Sequence, residues 1–161
     1  MKRFENWPEL LAAFLEQHKA TPFEWGRFDC ALFAADAIHI MTGVDLAEDF
    51  RLQYDSALGA TRQMQKFLKH FYVQPSILMD EDTERLLEKV AAPICFEHGM
   101  QEIPVALAAR GDLVFLAVEE THALGIVGLD GMTARFVGGP DVPGLLAIPL
   151  SACKRAWRVG E

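Results

Sequence analysis

Phe23-Glu24-Trp25-Gly26-Arg27-Phe28-Asp29-Cys30, running on into Ala31-Leu-Phe-Ala-Ala-Asp-Ala-Ile-His-Ile-Met-Thr42, is the stretch that decides the fold. From Ala31 to Met41 only Asp36 and His39 are polar, so the helix predicted over Asp29 to Thr42 is apolar on most sides and belongs at the centre of the molecule. Asp29 is a good N-cap, because its carboxylate can accept from the first unpaired N–H groups of the helix. That places Cys30 in the opening turn. Gly43 is a natural C-terminal stop.

Two readings of Cys30 follow from its position. A thiol in the first turn sits where free N–H groups and the helix dipole favour a thiolate, with the Asp29 carboxylate opposing this somewhat. It is equally a small apolar residue in a buried helix, since free cysteine is among the most buried residue types.

Working outward, Trp7, Leu10, Leu11, Phe14, Leu15 and His18 fall on one face of a predicted first helix, with Asn6 and Glu9 in a capping-box arrangement and Thr21-Pro22 as its end. A third helix is predicted from about Ser56 to His70, with Met64, Phe67, Leu68 and Phe71 inward, and a fourth from Thr83 to Val90, stopping before Pro93. The second half changes period. Asp112–Val118, Ala123–Val127, Thr133–Val137, Leu145–Ile148 and Ala156–Val159 read as short strands, with Asp130-Gly131 a hairpin turn. Gly138-Gly139-Pro140 and Pro143-Gly144 read as further turns. A helical half followed by an antiparallel meander is an α+β fold, expected as a single domain over 1–161. The stretch at about 56–108 reads as an insertion-like helical segment.

Composition narrows the function. With 15 basic and 23 acidic residues the chain carries a net charge of −8, so nucleic acid is not the expected partner. The nearest basic cluster, Lys154, Arg155 and Arg158, is too small to change that. Three widely spaced cysteines, Cys30, Cys95 and Cys153, make no disulfide framework and read as reduced thiols. No signal peptide or membrane span is visible, so the expected place of synthesis is the cytoplasm.

The Phe23–Ala34 string resembles the nucleophile region of the NlpC/P60 cysteine peptidases, in which an aromatic-Gly segment runs into Asp-Cys and opens the central helix. Further matches follow in order. Thr42-Gly43-Val44-Asp45 resembles the stretch where that helix ends. Ala109-Arg-Gly-Asp-Leu-Val-Phe-Leu116 is similar to the family's Pro-Gly-Asp-Leu-Val-Phe-Phe strand, and His122-Ala-Leu-Gly-Ile-Val127 to its His-Val-Gly-Ile-Tyr strand. The Phe-x-Trp-Gly-x-x-Asp-Cys-Ala form and Ala156-Trp-Arg-Val159 also resemble phage and prophage relatives of that family. The resemblance implies a papain-like α+β fold and cleavage of bacterial cell-wall peptides. Cys30 would be the nucleophile, His122 the base, and the Cys30 backbone N–H an oxyanion donor. It implies no cofactor and no metal, peptidoglycan stem peptides as substrate, and phage tail proteins as partners, with the protein carried on a virion.

His122 departs from that pattern, lying three residues before Gly125 instead of two. Aligned on Gly-Ile, Ala123 takes the histidine position, and His122 is expected to point away unless a bulge near 121–124 restores it. An exposed histidine at a strand start is the other reading. The following strand offers only Thr133 and Arg135 to orient an imidazole, so a backbone carbonyl or an acid from elsewhere is needed. His39 is too far along the Cys30 helix to act as its base. His18 and His70 sit near helix C-termini. Cys95-Phe-Glu-His98 has a metal-ligand spacing but no second pair, and Asp112 reads as a turn residue. Two functional readings remain: a cysteine peptidase or amidase, and a non-catalytic phage-tail module on the same fold. A thiol acyltransferase or toxin using the same pair is a third.

Overall fold

A computed structural model describes residues 1–71 and 83–160; the part of the insertion-like segment at 72–82 lies outside the described residues. Four helices precede the sheet: α1 (Trp7–His18), α2 (Cys30–Thr42), α3 (Ala57–Leu68) and α4 (Thr83–Glu97). Six strands follow: β1 (Glu102–Ile103), β2 (Leu113–Val118), β3 (Thr121–Val127), β4 (Thr133–Gly139), β5 (Val142–Pro149) and β6 (Cys153–Trp157). They form one antiparallel sheet in the order β1-β6-β2-β3-β4-β5. The meander therefore covers β2 to β5, whereas β6 returns to the far side of β2 instead of extending beyond β5.

α2 is the central element. Leu32, Phe33, Ile38 and Met41 are wholly buried, each contributing about 1.5–3 kcal/mol relative to exposure. The polar Asp36 is paired with Arg51 at 2.7 Å, and His39 is exposed. Gly43 ends the helix at φ 77°, in the left-handed region, and its N–H returns to the His39 carbonyl. α2 lies against β3 and β4 on one side and α1 on the other, while α3 packs on α4. Leu113, Phe115, Leu124, Ile126 and Val137 face the helices. Val114, Leu116, Ala123, Val127, Ala134 and Phe136 form a second core on the opposite face of the sheet.

Several local expectations are corrected. Asn6 makes no side-chain cap on α1, so the capping box is absent. α4 continues through Pro93 to Glu97: the proline forfeits one helical hydrogen bond, but Leu86, Leu87, Val90, Ala91 and Cys95 hold both halves of the helix on the core. Phe71 lies past the end of α3 and is exposed. Gly138-Gly139 belongs to β4 and Pro143-Gly144 to β5, which narrows the turn between them to Pro140-Asp141.

Asp112 is more than a turn residue. Fully buried, it accepts from Arg3 Nη2 at 2.8 Å, the Ala109 N–H at 2.9 Å and the Val159 N–H at 3.1 Å, with Arg158 Nη1 also at 3.1 Å. It thus clamps both ends of the chain to the start of β2. Arg155 is likewise engaged by Glu88 and Glu102, so two of the three basic residues near the C-terminus, Arg155 and Arg158, are held in ion pairs, while Lys154 is exposed.

Candidate active site

The segment 23–28 folds back on itself through the Glu24↔Phe28 bridge and brings Phe23 and Trp25 edge to face, with ring centroids 4.7 Å apart. Gly26 has φ 75°, and a Cβ there would lie 2.0 Å from the Tyr54 carbonyl oxygen, so only glycine fits. Asp29 then caps α2: one carboxylate oxygen accepts from the Leu32 N–H at 3.0 Å. The other accepts from the Gly26 N–H at 3.1 Å and from the Tyr54 hydroxyl at 2.7 Å. The hydroxyl is held protonated by its burial and by this carboxylate. Tyr54 had no signal in the sequence, because its partner lies 25 residues away, across α2 and the loop that follows it.

Cys30 begins α2, half-buried, and shares one pocket of about 660 Å³ with His122. β3 explains how they meet. Its pairing with β2 is unbroken from Leu113↔Ile126 to Val118↔Thr121, so no bulge is present. His122, Leu124 and Ile126 alternate onto the helix-facing side, and Ala123 goes to the opposite core. The expectation that His122 points away is therefore wrong: it is Gly125, not the histidine, that has moved to the other face. His122 is half-buried inside β3, with Phe115 edge-on at 5.9 Å between ring centroids.

The β3–β4 ladder ends at Gly125↔Phe136. The backbone N–H of Leu124, one residue beyond that end, lies close enough to the Cys30 sulfur to favour its thiolate. Burial first, then the Asp29 charge, push the Cys30 thiol up to about 12, against the N–H groups of Leu124, Ala31 and Cys30 itself. Of the two readings of Cys30, burial and the Asp29 charge favour the thiol over the dipole-favoured thiolate. Alkylation of Cys30 by iodoacetamide is expected to keep accelerating through pH 9–10. A labelling plateau near neutrality would contradict this. Cys30 is still expected to label before Cys95 and Cys153, which are 1% and 7% exposed, with thiols pushed up to about 12 and about 11 by burial.

Neither candidate from the next strand orients His122. Thr133 donates its hydroxyl to Asp130 at 2.6 Å, and Arg135 pairs with Ile126, four residues along β3. His39 is remote on the last turn of α2, and His18 stacks on Phe28. His70 follows α3 and is exposed. Cys95 is in the core and His98 Nδ1 meets the Ile94 carbonyl, so this pair is not arranged as a metal site. Among the described residues no group of three His, Cys, Asp or Glu gathers to hold a metal, and no helix is long and apolar enough to cross a membrane.

A cysteine at the start of a buried helix and a histidine on an antiparallel sheet thus line one pocket. The chain resembles the crystal structure of the NlpC/p60 domain of the peptidoglycan hydrolase SagA, with a TM-score of 0.52, 18% identity, and coverage of 94% of this chain and 97% of the other. At that identity the likeness is one of fold. The chain belongs to the family described as domain of unknown function DUF6950, whose model matches residues 2–159. No curated protein sequence matches it.

Proposed function

We propose that the protein is a cysteine hydrolase of the NlpC/P60 type, cleaving an amide of bacterial cell-wall peptides with Cys30 as nucleophile and His122 as base. The observation that carries this reading is the pocket that Cys30, at the start of α2, shares with His122 on β3. Because the resting thiol is protonated, the reaction begins with transfer of its proton to the His122 imidazole as substrate excludes water. The sulfur then attacks the amide carbon, and the oxyanion meets the Cys30 backbone N–H. His122 returns the proton to the departing amine. Water, activated by the same imidazole, hydrolyses the thioester.

On this reading the chain acts as one domain over 1–161, with α3 and α4 of the 56–108 segment lining the inner part of the pocket. The protein is made in the cytoplasm and reaches the wall on a phage tail, as the Phe23–Ala31 and Ala156–Val159 resemblances suggest. A non-catalytic tail module is the second reading, favoured by the protonated resting thiol. Incubation of the purified protein with muropeptides, followed by mass spectrometry, separates the two. Release of a stem-peptide fragment by wild type and not by Cys30→Ala is the expected result. Intact muropeptides throughout would overturn the cell-wall reading.

A further inference from the structure

Resting on the Cys30–His122 hydrolase chemistry and not on the cell-wall substrate, we infer that the pocket beyond Cys30 receives an uncharged apolar chain on the acyl side of the scissile carbonyl, as in an N-acylated peptide. The space does not stop at the thiol. It continues inward along α2, past Ala31, Ala35 and Ile38, to Met64 on α3 and to Val90 and Ala91 on α4. Cys30 to Ile38 is eight residues of helix, a depth of roughly 12 Å at 1.5 Å per residue, which suits a medium-length acyl chain.

Two features select the occupant. First, no Lys or Arg is among the described residues that line the pocket, and its carboxylates and imidazole, Asp29, Glu120 and His122, gather at the Cys30 end, while the inner Cys95 is a thiol held protonated by burial. A carboxylate-bearing substituent carried inward would meet no cation there. Alanines occupy many of the wall positions, leaving space where larger side chains would close the core. The whole pocket, mouth included, holds about 660 Å³, which matches the size of ligand sites.

Second, the open end and the closed end have different uses. Glu120 and Thr121 at the mouth are exposed, whereas Ile38 and Val90 are buried. After attack, the C–N bond breaks, the amine takes the proton from His122 and must leave, and water must enter. Those exchanges belong to the mouth. The acyl group stays bonded to the sulfur until hydrolysis, so the closed apolar end suits the group that stays.

The test uses the full chain, a neutral naphthylamine dye that fluoresces in apolar surroundings, and the esters p-nitrophenyl acetate and p-nitrophenyl decanoate. The dye is expected to bind wild type and Cys30→Ala alike and to be displaced by decanoyl compounds. The kcat/KM for decanoate is expected to exceed that for acetate by about a hundredfold or more, since each methylene adds binding in an apolar pocket. Ala35→Phe and Ala91→Phe fill the chamber from opposite walls. Each is expected to lower dye binding and the decanoate preference at least about tenfold. Circular dichroism verifies folding, and either variant alone suffices if the other misfolds. Dye binding without turnover of any substrate would sink the hydrolase reading and keep the apolar pocket. Muropeptide cleavage with no dye binding and no chain-length preference would overturn this inference and keep the hydrolase reading.

Discussion

Cys30→Ala and His122→Ala are each expected to lower the rate of peptide hydrolysis by about a thousandfold or more, with the double mutant little worse than either single one. The two side chains act as one unit, because the thiol is useless as a nucleophile until the imidazole accepts its proton. The raised thiol makes this dependence sharper here than in a site with a resting thiolate: at about 12, only a minute fraction of Cys30 ionises unaided at pH 7. Losing His122 should therefore cost nearly as much as losing the sulfur. Neither change should unfold the protein, since both residues are only half-buried and their elements are fixed by other side chains. Thermal melting checks that. Steady-state rates on a cleaved muropeptide or ester check the rest. Full activity of His122→Ala would show that the proton goes elsewhere.

How much of this was legible in the sequence depends on the range of the interaction. α2 was readable because its signals are local: Asp29 as cap, Gly43 as stop, and an apolar run too continuous for a surface helix. The strand ends were readable within a few residues for the same reason. What failed was set by partners far along the chain. The orientation of His122 depends on β3's pairing with β2, where Ala117 is its partner, and counting from Gly125 could not supply that register. α4 passes through Pro93 because burial of Leu86, Leu87, Val90, Ala91 and Cys95 outweighs one lost hydrogen bond. Asp112 looked like a turn because its partners Arg3, Arg158 and Val159 come from the two chain ends. The fall of the Asp-Cys argument for a thiolate has the same origin. The dipole of α2 is a local property, but the burial that overrides it comes from the elements packed around the sulfur.

Asp29 is where fold and chemistry pull in opposite directions, and substitutions there should separate them. The carboxylate is 2% exposed and accepts three hydrogen bonds, from Gly26, Leu32 and Tyr54. Asp29→Ala removes a helix cap, costing about 1 kcal/mol. It also strands the Gly26 N–H and the Tyr54 hydroxyl, at about 1–3 kcal/mol each. The total, about 3–7 kcal/mol, is a large part of the stability of a domain of this size. The melting temperature should fall by roughly 10–20 °C. Asp29→Asn keeps the shape and an acceptor for Leu32, but its amide cannot accept from Gly26, so a smaller loss is expected. Its effect on the thiol has the other sign. The Asp29 charge is the second cause of the raised Cys30 value, after burial, so removing it should bring the thiol down from about 12 and speed alkylation at pH 8–9. Tyr54→Phe is the comparison: it deletes one hydrogen bond, about 1 kcal/mol, and leaves the carboxylate charged beside the sulfur. It should destabilise without making Cys30 more reactive. If Asp29→Asn melts earlier and labels no faster than wild type, the Asp29 charge does not reach the sulfur, and the high thiol value rests on burial alone.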